Sequence, residues 1–375
     1  MISYKMTNEL ILDYHKLAWH NERVEAWLRG ERVAPITIDC AISRKCNYHC
    51  TYCYAKLQKN EEKKMTEEVI LRFLDDAAEI GVKAISFVSD GESTCSPHIY
   101  KAIVRGKQNG LDMALGTNGA LLKPEKFEEI LPCLTYLRFN ISAGEPERYR
   151  EIHGCREGDF ERVIRNITEA VRVKKRGGLE TTIGLQMVLL PEFIDQVTPL
   201  VKLGKNLGVD YLVLKHCSDD ENSSLGVNYK KYFDENLIRI LKEAEAMSTK
   251  DYSVKAKWSK ILSGGNRSFS RCYGSVFIPQ FSGSGLVAPC GCFFNEKYKK
   301  YHIGYLTDTP FKQLWKSERY WEVMDLLASD KFDAKTMCGK LCVQNKVSEY
   351  LDALKKGLIK FEEPKGEKPL HVNFI

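Results

Sequence analysis

"CAISRKCNYHCTYCYAK", residues 40–56, is the stretch on which the fold turns. It holds four of the chain's 13 cysteines, three of them spaced Cys46-x3-Cys50-x2-Cys53. Structural zinc takes a closed set of four ligands, commonly two CxxC pairs, whereas a cubane iron–sulfur cluster can be held by three cysteines that leave one iron open. His49 lies inside the motif, where its sequence neighbours would crowd the same metal. Three close thiolates with no fourth nearby favour a cluster with a coordination vacancy. Cys40, on the strand that leads in, reads as buried structure.

Outward from the motif, short apolar runs alternate with stretches of helical period. The strand candidates are residues 35–41, 82–90, 112–118, 134–142, 181–190 and 209–216. Val69, Ile70, Phe73, Leu74, Ala77 and Ile80 recur at three- and four-residue steps and so form one apolar helix face. Several such stripes end in Gly, as helix C-termini often do. Six strands alternating with helices predict an α/β domain with a parallel sheet, and the pattern alone leaves a doubly wound sheet and a partial barrel both open. In either, ligands sit at the carboxyl ends of the strands. Cys46 to Cys53 follow the first strand, Asp90-Gly91-Glu92 the second and Thr117-Asn118-Gly119 the third. Asn140 and Ser142 end the fourth, and Lys215, His216 and Cys217 the sixth. The alternation is expected to stop near residue 250. That divides the chain into an extension (1–35), the sheet domain (36–225), a linker helix (226–250) and a cysteine-bearing unit (251–375).

The composition, 43% hydrophobic and 28% charged over 375 residues, is that of a globular protein rather than a disordered or fibrous one. No apolar run has the length of a membrane span, and the start lacks the order of a signal peptide. A cytoplasmic protein is expected, in which so many cysteines point to metal or redox chemistry rather than disulfides. The net charge of +6 is small for this length, and the charge clusters mix signs or are short, so no nucleic-acid partner is expected. A mild bias toward an anionic substrate remains.

"CNYHCTYC" resembles the signature of the radical S-adenosylmethionine (SAM) enzymes, and motifs in the same order support the likeness. The resemblance implies a partial (β/α)6 TIM-like barrel whose [4Fe–4S] cluster is ligated by Cys46, Cys50 and Cys53. Its open iron would bind SAM, and one electron would release methionine and a 5′-deoxyadenosyl radical. Tyr52 would lie near the adenine. "SDGE" resembles the Gly-Gly-Glu that holds the methionine amino group: Gly91 and Glu92 match, while Asp90 stands where the first glycine would. "RFNIS" resembles the ribose-binding stretch, with Asn140 and Ser142, and "IGLQMVL" the adenine-contact region, with Gln186. Thr117 and Asn118 join them as cofactor-binding candidates; loop or cap roles are the alternative for these polar residues.

The second unit carries Cys272, Cys290, Cys292, Cys338 and Cys342. It resembles the SPASM auxiliary-cluster domain and its shorter relative Twitch. The likeness implies one auxiliary [4Fe–4S] cluster on Cys272, Cys290, Cys338 and Cys342, with Cys292 a substitute ligand or a free thiol. A zinc knot with the same ligands is the alternative.

A radical of this kind abstracts hydrogen from an unactivated C–H bond, and the fate of the resulting substrate radical sets the product. Loss of a proton and an electron gives oxidation; return of hydrogen from a thiol, for which Cys217 and Cys95 are candidates, gives epimerisation. Lys215 and His216 are candidates for a base or an anion-binding group. With only residues 1–35 before the first strand, where peptide-modifying members often carry a leader-binding domain, a small molecule is expected. The sequence leans toward oxidation or epimerisation of a sugar or aminocyclitol, with a flavodoxin- or ferredoxin-type reductant. Maturation of a ribosomal peptide is the alternative, and an iron–sulfur electron carrier or zinc-binding interaction protein the alternative outside enzymes.

Overall fold

The computed structural model describes residues 10–375 apart from 14, 341, 362, 363, 365 and 366. Each of the six apolar runs contains a strand: β1 (Thr37–Cys40), β2 (Ala84–Phe87), β3 (Asp112–Thr117), β4 (Leu134–Asn140), β5 (Thr182–Leu189) and β6 (Tyr211–His216). The helix Glu235–Ala246 then packs on the helix Val197–Leu207 and leads into β7 (Ser253–Ala256). Strand–helix alternation therefore runs past residue 250, where the sequence reading placed a boundary. All seven strands are parallel, and each pairs with its successor. Sequential parallel order with right-handed crossovers puts the helices on one face and curls the sheet, whereas a doubly wound sheet requires the order to reverse. The strand order makes this a partial barrel.

The barrel helices form for local reasons. Thr66 Oγ1 accepts from Val69 N at 3.4 Å and caps the helix Glu67–Glu79, which buries Ile70, Phe73, Leu74 and Ala77. The helices Asp159–Gly177 and Val197–Leu207 end on Gly178 and Gly208, whose φ of 57° and 70° suit glycine.

On the far side of β1 the sheet is extended by the second unit. Strand β8 (Gln280–Phe281) runs parallel to β1, with Asp39 opposite Gln280 and Cys40 opposite Phe281. Antiparallel β9 (Leu286–Ala288) and β10 (Gly304–Tyr305) follow. The rings of Phe73, Phe281 and Phe311 meet edge to face at 5.6, 5.6 and 5.1 Å and bury the seam. The opposite end of the barrel is closed by residues 371–375. Thr37 Oγ1 donates to Asn373 O at 2.6 Å, Asn373 Nδ2 to Asp112 Oδ2 at 2.7 Å, and Thr182 Oγ1 lies 2.8 Å from His371 Nε2. These contacts fall on the first residues of β1, β3 and β5.

Because Phe281 is fully buried between the two units, Phe281→Ala should destabilise the protein by about 3–5 kcal/mol. Chemical denaturation of the apoprotein reads that loss.

Candidate active site

A cavity of ≈ 700 Å³ lies within the barrel mouth, inside the range of about 300–1,000 Å³ usual for ligand pockets. Strand periodicity selects its wall. Tyr136, Arg138 and Asn140 of β4 face inward, as do Gln186 and Val188 of β5 and Tyr211, Val213 and Lys215 of β6. At the mouth the cavity is bordered by Cys46, Cys50, Tyr52 and Cys53, by Gly91, Glu92, Asn118 and His216, and by Cys290 and Cys292 from the second unit.

The three cysteines of the opening motif thus sit together on the rim. Burial first, and neighbouring thiols among the lesser causes, push Cys46 up to about 11 and Cys50 up to about 12. A positive metal centre beside such thiols brings about their ionisation. Among the described residues no group of three His, Cys, Asp or Glu side chains closes around a single ion; a cubane distributes its cysteines over separate irons.

His153, which the sequence did not single out, is fully buried against this loop. Ser142 N donates to its Nε2 at 2.9 Å, so Nε2 is the bare nitrogen and Nδ1 carries the proton. Nδ1 lies 3.4 Å from Cys50 Sγ and 3.5 Å from Tyr52 OH, and the ring stacks on Tyr149 at 4.2 Å. Burial lowers the imidazole to about 3, which keeps it neutral. A neutral N–H therefore points at a cluster-loop sulfur.

The acidic loop is built for a different closeness than the sequence suggested. Gly91 adopts φ 120°, and a Cβ there would lie 2.2 Å from Ser43 O, so the backbone it must admit is that of the cysteine loop. Glu92 is buried and saturated: Oε1 accepts from Thr94 N, Thr94 Oγ1 and Thr117 Oγ1 at 3.0, 2.7 and 2.8 Å, and Oε2 from Asn118 N at 2.8 Å. Asp90, where a glycine was expected, is a clamp. It accepts from Ser282 Oγ at 2.6 Å and Gly283 N at 2.9 Å and lies 3.4 Å from Arg44 Nε. It joins the cysteine loop, the barrel and the second unit.

The other residues singled out from sequence divide by position. Asn140 accepts from Gln186 Nε2 at 2.9 Å, and both face the cavity. Thr117 and Ser142 do not border it: Thr117 holds Glu92, while Ser142 Oγ donates to Tyr52 OH at 3.2 Å and accepts from Val188 N at 3.2 Å. Cys95 is half-buried outside the cavity wall. Cys217 is also off it, fully buried with Sγ 3.2 Å from Ser218 O. Lys215 is on the wall, lowered to about 7 by burial and then by the charges of Lys260 and Arg138. His216, lowered to about 4 chiefly by burial, has Nδ1 2.9 Å from Cys217 O.

Behind the rim, Cys272, Cys290, Cys292, Cys338 and Cys342 gather closely enough to perturb one another's ionisation. Burial pushes Cys342 up to about 11 against the pull of Arg267, whose guanidinium donates to Ala334 O at 3.0 Å and to Gly339 O. Cys292, which the sequence reading left open as a substitute ligand or a free thiol, is within the group. Arg267, His153 and the clamping role of Asp90 were missed because each acts across a long separation that no spacing encodes. Arg138 was within reach, two residues before Asn140 on one strand face.

Residues 41–203 match the family model described as the radical SAM superfamily, and residues 278–342 match SPASM, described as an iron–sulfur cluster-binding domain. The chain is a radical SAM enzyme with a C-terminal SPASM domain. Radical SAM and SPASM domains bring a [4Fe–4S] cluster, SAM and an auxiliary iron–sulfur cluster. The chain is 24% identical over 339 residues to the AdoMet-dependent heme synthase of Methanosarcina barkeri, covering 84% of this radical SAM protein and 90% of that one. It is 22% identical to the tungsten-containing aldehyde ferredoxin oxidoreductase cofactor-modifying protein of Pyrococcus furiosus, over 74% of this chain and 80% of the relative. The structure of Streptococcus suis SuiB bound to S-adenosylmethionine shares the fold, with TM-score 0.62 and 15% identity over 82% of this chain and 72% of SuiB. No helix among the described residues is long and apolar enough to cross a membrane.

Two outcomes test the site's wiring. His153→Phe keeps a ring beside Tyr149 but removes the N–H aimed at Cys50; the midpoint potential of the SAM-binding cluster, read by redox titration with EPR, should fall by tens of millivolts. Asp90 is raised to about 6 by burial, so the folded state holds its proton more tightly than the unfolded chain. Its contribution to stability is full below the unfolded value and is lost as pH rises through about 6. Asp90→Asn should remove a slope worth about 3 kcal/mol at most from denaturation midpoints measured between about pH 4 and pH 7.

Proposed function

We propose that this radical SAM enzyme dehydrogenates a sugar- or aminocyclitol-type small molecule held in the barrel cavity, converting a secondary alcohol to a ketone. One observation carries the reading: a single cavity is bordered on one side by Cys46, Cys50 and Cys53 and on another by Cys290 and Cys292. A substrate between them lies beside both the radical source and an electron acceptor. The bound groups supply removal of a hydrogen atom from carbon and acceptance of one electron; with loss of the hydroxyl proton these convert >CH–OH to >C=O, and atoms and electrons balance.

The chain's own residues have the remaining tasks. Cys46, Cys50 and Cys53 hold the SAM-binding cluster, and the thiols of the second unit hold the auxiliary cluster. Asn140, Gln186, Asn118 and Tyr52 orient SAM, while Glu92 holds the loop and the positions of Thr117 and Asn118. Lys215, lowered to about 7, is the base for the hydroxyl proton. Oxidation is favoured over epimerisation because neither Cys217 nor Cys95 borders the cavity, so neither is positioned to return hydrogen to substrate carbon. The small-molecule reading is supported by the size of the cavity, ≈ 700 Å³, and by the names of the two curated relatives, a heme synthase and a cofactor-modifying protein. Electrons would come from a flavodoxin- or ferredoxin-type protein in the cytoplasm.

Anaerobic reconstitution should load about eight irons per chain, as two cubanes require. With reductant and SAM the enzyme should release 5′-deoxyadenosine, and Cys50→Ala should abolish that release. Candidate sugars and aminocyclitols turned over in D2O should give product lighter by one hydrogen pair. Product of unchanged oxidation level carrying solvent deuterium on carbon would instead establish epimerisation and sink the dehydrogenase reading.

A further inference from the structure

We propose that Arg138, Lys257 and Lys260 form a subsite inside the barrel for an oxyanion on the substrate, a phosphate or a carboxylate. The inference rests on the small-molecule reading above and narrows its substrate class.

The three cations reach the cavity from different elements: Arg138 from the inward face of β4, Lys257 and Lys260 from the turn and short helix that come after β7. All are half-buried and line its wall. None makes an ion pair or a side-chain hydrogen bond among the described residues, and Arg138 Nε is buried with no partner. The guanidinium lies 5.4 Å from the centre of the Tyr136 ring, a contact that orients it without neutralising it.

The side-chain carboxylates on the same wall offset this charge only in part. Asp90 and Glu92 are committed at the cysteine loop. Asp13 accepts from Ser259 N at 3.0 Å and from Ser259 Oγ. Asp39 is engaged by Gln280 Nε2 at 3.4 Å, and burial raises it to about 6 against the pull of Arg138. Burial, and then repulsion by Lys260, Lys215 and Arg138, lowers the ammonium of Lys257 against the pull of Asp13; Lys260 is lowered by burial against the pull of Asp13 and Asp39. Like charges gathered in a cavity are costly to hold, and an arginine cannot discharge itself. A substrate oxyanion relieves that cost and gains a planar, two-point contact from Arg138. Lys215 is close enough to feel the charges of Arg138 and Lys260, which puts the anchor beside the proposed base.

Holoenzyme carrying both clusters and SAM is titrated by calorimetry with three probes: inorganic phosphate, succinate and neutral myo-inositol. At least one anion should bind ~10-fold or more tightly than inositol, phosphate identifying a phosphorylated substrate and succinate a carboxylated one. The double variant Arg138→Gln/Lys257→Gln should lose that preference, while Lys257→Arg, at matching iron content, keeps it. Inositol binding as tightly as both anions, or a double variant with undiminished anion affinity, overturns the proposal. Release of 5′-deoxyadenosine by the same wild-type preparation is measured alongside: release without anion preference removes the subsite and leaves the radical chemistry standing, whereas absence of release removes the function on which it rests.

Discussion

The pairing of β8 with β1 is the constraint on which the site depends. Two residues of the second unit add to the edge of a barrel strand, and the hairpin they begin returns to the mouth with Cys290 and Cys292 facing the cavity. Backbone pairing alone would be short. The buried Asp90 carboxylate reinforces it by holding Ser282 and Gly283 on one side and Arg44 on the other. Gly91 and Gly283 both press on the backbone at Ser43, where a Cβ from either would come within 2.3 Å. The spatial relation of the two cysteine sets is thus fixed by close backbone approach and one shared carboxylate, around the loop that bears Cys46.

A second consequence is the uneven character of the cavity. Near the cysteines the polar groups are paired with one another: Glu92 is saturated, His153 is neutral with its donor turned to sulfur, and Asn140 and Gln186 bond to each other. Deeper in the barrel the cations of β4 and of the segment after β7 make no hydrogen bond or ion pair through their side chains among the described residues. The barrel fold puts side chains from successive strands on one inner surface, so charges far apart in sequence repel one another there. The rim is preorganised, while the interior retains unpaired charge.

Much of this was legible in the linear chain. The six strands, the helix stops at Gly178 and Gly208, and the clustering of Cys46, Cys50 and Cys53 with Glu92 and Asn118 at the strand ends come from period, glycine placement and the rule that ligands meet strand carboxyl ends. The seventh strand was missed because Ser253–Ala256 is short and carries lysine, which reads as a solvated segment until its neighbour β6 is in view. Thr117 and Ser142 were placed near the ligand by position along the strand, but each spends its hydroxyl on a neighbouring side chain. Hydrogen-bond partners at such separations leave no trace in spacing.

By itself the sequence determined the chemistry of the cysteine loop, because three thiolates within eight residues must meet whatever the rest of the chain does. It also determined a parallel sheet covered by helices, because alternating β-branched runs and amphipathic stripes bury their apolar faces against each other in that way. Tertiary structure decided the curl of that sheet, the approach of the second cysteine set to the first, the withdrawal of Cys217 and Cys95 from the cavity, and the gathering of Arg138, Lys257 and Lys260. Each of these depends on which residues face each other after the barrel closes, and a one-dimensional pattern records periodicity along an element but not proximity between elements.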